Sequence, residues 1–137
     1  VKHTDADFLT TEIIARIVSN RLKNESGVMN LSVKSAQRIL AGPFYYSASV
    51  VSEKAPELSR RASEAFTSLV GAPVSANELA EAKTALASEL AERPIEQNLR
   101  DIEMYLLPRN LPVEIGKKIE AISAADVQRV AKRMLDA

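Results

Sequence analysis

The spacing of apolar residues predicts a helix between residues 5 and 23. Two neighbouring rows at four-residue intervals carry its apolar side chains, Leu9, Ile13 and Ile17 in one row and Ile14, Val18 and Leu22 in the other. Two rows give a wide apolar face, which we expect to pack against a sheet. Asp5 or Asp7 is placed to cap the first turn through its carboxylate.

Residues 28–36 and 43–51 alternate between apolar and polar side chains, which is the two-residue period of half-buried strands. Tyr45 is expected on the polar face of the second strand. Gly42 and Pro43 interrupt the pattern between them and suit a hairpin-like connection. The side chains expected on the apolar faces are Met29, Leu31 and Val33 in the first strand and Phe44, Tyr46, Ala48 and Val50 in the second.

After Val51 the apolar spacing returns to the helical period. The predicted helices are 55–70, one that starts at Ala76 and is kinked or broken by Pro94, then 95–106, about 113–120, and 124–135. The predicted fold class is α+β, with an antiparallel sheet backed by helices on one face. Residues 1–137 are expected to form one domain, because no flexible linker divides them. Two strands are too few for a stable sheet, so we expect further strands from a larger protein or from another chain.

Two stretches begin alike, V-S-A-N-E-L-A-E-A-K at 74–83 and I-S-A-A-D-V-Q-R-V-A-K-R-M-L at 122–135. Each is typical of a capped helix start, with Ser75 paired to Glu78 and Ser123 paired to Asp126. We expect the second box to be weaker, because Asp is shorter than Glu. Capping accounts for both stretches without any ligand.

Charge and composition narrow the possible functions. Eighteen basic and eighteen acidic residues leave no net charge, so neither nucleic acid nor a membrane surface is an expected partner. The longest uncharged run, 39–52, is shorter than the roughly twenty residues of a membrane helix. The chain has no cysteine, which excludes disulfides and thiolate ligands and would fit export to a bacterial periplasm.

No residue pattern predicts catalysis in this chain. His3 is the only histidine, and neither H-E-x-x-H nor H-x-x-E-H occurs, so we predict no catalytic residue, no metal ligand and no cofactor. Three glutamates at 89, 92 and 96 alternate with arginines and are interpreted as a solvated face. Tyr45 could contact a peptide through its hydroxyl, although a strand tyrosine that covers a sheet is the simpler interpretation.

Four stretches in succession resemble motifs of the insulinase/pitrilysin-type zinc metallopeptidases. The first is A-R-I-V-S-N-R-L at 15–22, and the second is G-P-F-Y-Y-S-A-S-V-V-S-E-K-A-P-E-L at 42–58. The two capped helix starts at 74–83 and 122–135 complete the series. Their order and spacing agree with that family over nearly the whole chain.

The resemblance implies a non-catalytic domain of such a peptidase, because the zinc motif His-x-x-Glu-His is missing. It implies that zinc lies on a separate catalytic domain or subunit, which would be the partner of this one. The parent protein would be a zinc metalloendopeptidase, while this chain alone would be inactive. This domain would help to enclose a chamber and position an extended peptide substrate. The first strand of the sheet would precede Val1.

The family's metal-free half carries an Arg and a Tyr seven residues apart that grip the substrate. Arg38 and Tyr45, with Gly42 between them, reproduce that spacing and are the candidate substrate-binding residues. A second placement counts from Arg21-Leu22 and puts Lys23 and Asn30 at the two positions, so that the pair would be lost.

Two other functions remain open. One is a structural or scaffold subunit of the same fold without proteolysis. The other is an unrelated helical interaction domain, which predicts no sheet beyond a hairpin.

Overall fold

The computed structural model describes residues 6–24, 28–35 and 43–136. Within these ranges one helix precedes a two-stranded antiparallel sheet, and five helices follow it. The elements are α1 (Phe8–Leu22), β1 (Val28–Ser35), β2 (Phe44–Val50), α2 (Ala55–Gly71), α3 (Ala76–Ala91), α4 (Ile95–Tyr105), α5 (Leu111–Ala121) and α6 (Ala124–Leu135), with a 3₁₀ turn at Ser52–Lys54. The predicted α+β class is confirmed.

Helix α1 lies at the centre of the hydrophobic core. It contacts β1 on one side and α2, α3, α5 and α6 around the rest of its circumference. Ile13, Ile14 and Ile17 are completely or almost completely buried there. A helix with a single apolar row could bury only one face, whereas the two rows of α1 allow packing on several sides.

The two strands place their apolar face against the helices. Val33 lies opposite Tyr46, and Lys34 lies opposite Tyr45. Opposite residues in an antiparallel pair share a face, so the register separates an inner row from an outer row. The inner residues packed on the core are Val28, Leu31, Val33, Phe44, Ala48 and Val50. The sheet is therefore backed by helices on one face, as predicted.

A bulge in β1 corrects the prediction for Met29. Asn30 and Leu31 together occupy the space between the pairs Met29–Ser49 and Ser32–Ser47, where β2 has one residue. Asn30 has a φ of 50°, a left-handed conformation that asparagine tolerates better than most residues. The extra residue turns Met29 to the outer face, where it is 58% exposed, while Leu31 keeps its predicted inward position.

Proline residues set two helix boundaries. Helix α3 ends at Ala91, and Pro94 stands at the N-cap position of α4, so the chain is broken there rather than kinked. Helix α5 begins at Leu111, two residues earlier than predicted, and has a proline in its first turn. The first turn of a helix has no partner for its N–H groups, so a proline in that turn loses no hydrogen bond.

Both predicted capping boxes are present. The backbone N–H of Glu78 donates to Ser75 Oγ, and that of Asp126 donates to Ser123 Oγ, each at 3.2 Å. The return bond is 3.4 Å from Ser75 N to Glu78 Oε2 but 3.0 Å from Ser123 N to Asp126 Oδ2. The return bond to Asp126 is the shorter of the two, so the expectation that the shorter Asp side chain makes the weaker box is wrong.

The start of α1 differs from the prediction. Asp7 stands at the N-cap position, but its side chain makes no capping hydrogen bond. Its two carboxylate oxygens instead accept hydrogen bonds from Arg129 of α6 at 2.9 and 2.8 Å. Asp5 lies outside the described residues. Within the described ranges, no helix is both long and apolar enough to cross a membrane.

Candidate functional site

Tyr45, one of the two candidate substrate-binding residues, lies on the outer face of β2. Its side chain is 45% exposed and stands opposite Lys34. Arg38, the other candidate, lies outside the described residues. In the second placement of the motif, Asn30 occupies the bulge of β1 and Lys23 follows α1.

A cleft of about 440 Å³ borders Tyr45 between α1, the end of β1 and α3. We call it the polar cleft, and it is lined by Glu12, Ala15, Arg16, Ser19, Val33, Lys34, Ser35, Tyr45 and Glu89. Sequence reasoning did not select its α1 residues. Their signal was two oppositely charged residues four apart, Glu12 and Arg16, between the apolar rows of the helix.

Arg16 holds the polar cleft together. Its Nη1 donates to the Glu12 backbone oxygen at 2.8 Å and to Glu12 Oε2 at 3.1 Å, and its Nη2 donates to Glu89 of α3. Burial raises the pKa of the Glu12 carboxyl, and the neighbouring guanidinium of Arg16 opposes that shift. The charges of the polar cleft are thus largely compensated by one another.

The predicted solvated face, which runs from the end of α3 to the start of α4, is only partly correct. Glu92 and Glu96 are exposed, as expected. Arg93, however, turns inward and lies 3.0 Å from Asp101 of α4, measured from Nη1 to Oδ2. Asp101 Oδ2 is sealed from solvent and accepts no hydrogen bond from the described residues. This pair lines a second cavity of about 260 Å³, which we call the Asp101 cavity.

The other side of Tyr45 borders an apolar groove of about 520 Å³. The rings of Phe44 and Phe66 lie there with centroids 5.4 Å apart, and the hydroxyl of Tyr46 donates to Ser59 Oγ at 3.3 Å. Four of the six aromatic residues of the chain line this aromatic groove, namely Phe44, Tyr45, Tyr46 and Phe66. Tyr45 therefore borders both the polar cleft and the aromatic groove.

The motif residues that carry the family resemblance meet at helix ends. Arg21 of the first motif donates through Nε to Glu78 Oε1 of the third at 2.8 Å. Its Nη1 also donates to the Ala65 backbone oxygen at 3.2 Å and to Ser68 Oγ at 2.6 Å. One arginine thereby joins the C-terminal ends of α1 and α2 to the start of α3.

Two further motif residues satisfy carbonyl groups in the last turn of a neighbouring helix. Lys83 Nζ donates to the Glu120 backbone oxygen of α5 at 2.7 Å. Gln128 Nε2 donates to the Val70 backbone oxygen of α2 at 2.8 Å. Helix ends leave carbonyls without intrahelical partners, so these contacts stabilise the packing of the helices. The motifs therefore carry information about fold rather than about chemistry.

Neither the polar cleft nor the Asp101 cavity has the ligand set of a metal centre. Among residues 6–24, 28–35 and 43–136, no cluster of three or more histidine or acidic side chains could hold a metal ion. What the clefts offer is hydrogen bonding and apolar surface, which suits binding.

No protein family and no curated protein matched when the sequence alone was compared. Among solved structures, the inactive domain of a peptidase M16 from Pseudomonas fluorescens is similar to this chain. The TM-score is 0.82, and the match covers 97% of this chain. The two are 14% identical, and the chain spans 35% of the length of that protein. At this identity the likeness shows a shared fold: the chain folds like part of an inactive peptidase M16 domain.

Proposed function

We propose that this chain is a non-catalytic domain of an insulinase-like zinc metallopeptidase. The observation that carries the proposal is the fold likeness to a peptidase M16 domain described as inactive. The order of the sequence motifs adds independent support, since these motifs were recognised without the structure. Catalytic zinc would be supplied by another domain or subunit.

The partner in this proposal is a zinc-bearing domain or subunit of the same family, joined either in one polypeptide or by association. Together the two would enclose a chamber in which an extended peptide is cleaved. Edge-strand addition offers the physical route for holding the peptide. Each strand has one neighbour within the described residues, and unpaired N–H and C=O groups of a strand edge can pair with an extended chain. Tyr45 lies on the outer face of β2 and would contact the peptide.

A structural subunit of the same fold is the second candidate. The polar cleft favours it, because Arg16 donates hydrogen bonds to both Glu12 and Glu89, which occupies these three side chains. An unrelated helical domain is disfavoured by the fold likeness. The strand count does not separate the candidates, because the described residues contain a two-stranded sheet.

The deciding experiment mixes this chain with the zinc-bearing catalytic domain encoded in the same or a neighbouring gene. A quenched fluorescent peptide reports cleavage. We expect no cleavage by this chain alone, cleavage by the mixture, and loss of cleavage after treatment with 1,10-phenanthroline.

The control is a catalytic domain whose His-x-x-Glu-His glutamate is changed to glutamine, which should still form the complex. Zinc-dependent cleavage by this chain alone would overturn the assignment. A stable complex without any cleavage would favour the structural subunit.

A further inference from the structure

Helix α4 carries an apolar row that is only partly covered by the rest of the chain. Ile95, Leu99 and Ile102 follow one another at intervals of four and three residues, which places them on one side of the helix. Ile102 is buried, but Leu99 is exposed and Ile95 is 68% exposed. No other helix or strand within residues 6–24, 28–35 and 43–136 packs extensively on α4. The exposed part of the row is therefore available to a partner.

The C-terminal end of α4 adds a further exposed apolar residue in an unfavourable backbone conformation. Leu106 has a φ of 53°, a left-handed conformation that glycine or asparagine usually takes at this position. Its side chain is 87% exposed, so leucine gains little there from packing within the described residues. A contact outside this chain would explain an apolar side chain at such a position. We call the surface of Ile95, Leu99 and Leu106 the α4 row.

The charge beside the α4 row is mainly negative. Glu96 and Glu103 are exposed and lie next to the row around the helix. Within the part of the chain that the structure describes, neither carboxylate forms an ion pair, whereas Arg60 on α2 pairs with acidic neighbours of its own helix. Between residues 92 and 106 the exposed charges are three glutamates and one arginine, Arg100. A partner with basic side chains would compensate this excess.

The end of the helix strengthens the negative field. The C-terminal end of a helix carries a partial negative charge, which basic residues usually compensate. Helix α6 follows this rule, with Lys132 and Arg133 in its last turn. The last turn of α4 has no basic residue and contains Glu103 instead. A cation from outside this chain would compensate both the helix end and Glu103.

These charges disfavour a second copy of the chain as the occupant. Two copies that pack their rows together about a twofold axis near Leu99 would lie antiparallel. Glu96 of one copy would then face Glu103 of the other, twice in the same contact. Like charges brought together in an interface oppose association. A helix with basic residues beside an apolar row would instead match the α4 row in both apolar surface and charge.

We propose that the α4 row binds an amphipathic helix of a partner protein, with apolar side chains against Ile95, Leu99 and Leu106 and basic side chains beside Glu96 and Glu103. This interaction goes beyond the proposed function, because it requires no zinc-bearing domain. Its test uses this chain without such a domain, so its failure would leave the mixing experiment unaffected.

Two synthetic peptides of about eighteen residues test the row, since shorter helices are marginal in water. Both carry leucines at intervals of three and four residues, flanked by lysines in one peptide and by glutamates in the other. In a titration followed by methyl NMR, we expect the lysine peptide to bind at least about tenfold more tightly. It should shift the methyl signals of Ile95, Leu99 and Leu106, while those of Ile14 in the core stay unchanged. Added salt should weaken its binding.

Leu106→Gly separates binding from folding. Glycine is favoured at a left-handed position, so this variant should keep its thermal stability. Binding of the lysine peptide should nevertheless weaken by about fivefold or more, because an apolar contact is lost. The matched control is Val51→Ala, which truncates another exposed apolar side chain away from α4 and should leave binding unchanged.

A double variant tests the charge contribution. Glu96→Gln combined with Glu103→Gln should bring the affinities of the lysine and glutamate peptides close together. The control combines Glu81→Gln with Glu120→Gln, which removes two exposed charges from α3 and α5 and should preserve the difference between the peptides.

Equal affinities of the two peptides for the unchanged protein would overturn the proposal, as would unchanged binding by the Leu106→Gly variant. Sedimentation of the protein alone tests the second copy as occupant. A concentration-dependent dimer that disappears in the Leu106→Gly variant would assign the row to self-association and overturn the proposal. If Leu106→Gly fails to fold, the double glutamine variant and the peptide pair still decide the outcome.

Discussion

The helix ends around Arg21 and the cavity around Asp101 both hold charge away from solvent, but they satisfy it differently. Arg21 donates to the Glu78 carboxylate, to a backbone carbonyl and to a serine hydroxyl. Asp101 has one cation beside it, and its Oδ2 accepts no hydrogen bond within the described part of the chain. The contacts of Arg21 join three helices, whereas the buried carboxylate of Asp101 depends on the neighbouring cation for compensation of its charge.

The two regions also differ in how closely they pack on the hydrophobic core. Arg21 lies where α1, α2 and α3 converge on the core. Helix α4 exposes apolar side chains, including Leu99, which is 56% exposed, and buries little beyond Asp101 and Ile102. The core region therefore provides stability, and α4 provides surface.

The largest expected effect comes from truncating the core helix. Ile14→Ala should lower the free energy of unfolding by about 2–5 kcal/mol, because it removes buried apolar contacts and leaves a cavity. The control Leu99→Ala, on exposed α4, should change it by less than about 0.5 kcal/mol. Urea denaturation measures both values. Equal losses would contradict the distinction between the two regions.

A smaller effect is expected at the helix ends. Arg21→Ala should cost about 1–2 kcal/mol, because it removes the contacts to Glu78, Ala65 and Ser68 together. Arg100→Ala, the same change on the exposed face of α4, should be neutral within about 0.5 kcal/mol.

A double-mutant cycle of Arg21→Ala with Glu78→Gln should show coupling, since the two side chains hydrogen-bond directly. Additive effects would show that the arginine acts through α2 alone.

The next expected effect concerns Asp7 and depends on pH. The hydrogen bonds from Arg129 hold the pKa of Asp7 below its ordinary value of 3.8. The stabilisation is therefore fully present above that ordinary value and is lost as pH falls through the lower pKa of the folded state. Asp7→Asn should cost about 1–2 kcal/mol at neutral pH, toward the lower value because Arg129 is half-exposed. The loss should shrink in acid, as measured by urea denaturation at several pH values.

Glu12, in the same helix, is the control of opposite sign. Burial raises its pKa, so its ionised form disfavours the folded state relative to an exposed glutamate. Glu12→Gln should leave stability at neutral pH unchanged or raise it by less than about 1 kcal/mol. Any gain should disappear in acid, where Glu12 is protonated. A loss of stability at neutral pH would show that the contact with Arg16 outweighs burial.

The order of the helices and strands could be predicted because each has a local signal. The two apolar rows of α1, the alternation of β2, and the serine caps at Ser75 and Ser123 all act within a few residues of chain. The direction of Met29 could not be predicted, because the bulge at Asn30 depends on how β1 pairs with β2. The Asp7 contact was missed for a similar reason, since its partner lies 122 residues away.

The candidate site depends even more on contacts between elements that the sequence does not display. Tyr45 was selected from its position on a predicted strand, and the structure places it beside the polar cleft. The buried role of Arg93 was missed, because in sequence it alternates with glutamates as on a solvated helix. Its partner Asp101 lies on the next helix, beyond the break at Pro94, and its approach depends on how α4 folds back.

The sequence by itself determined the elements, their caps, the α+β class and the likeness in motif order to a zinc peptidase. These properties follow from the period of apolar residues and from contacts between near neighbours, which a sequence displays directly. Only the tertiary structure decided which charges are satisfied and which are not. Arg21 on α1 and Arg93 between α3 and α4 are both basic residues, but one meets three acceptors and the other meets the carboxylate of Asp101. That difference depends on distances between elements remote in sequence.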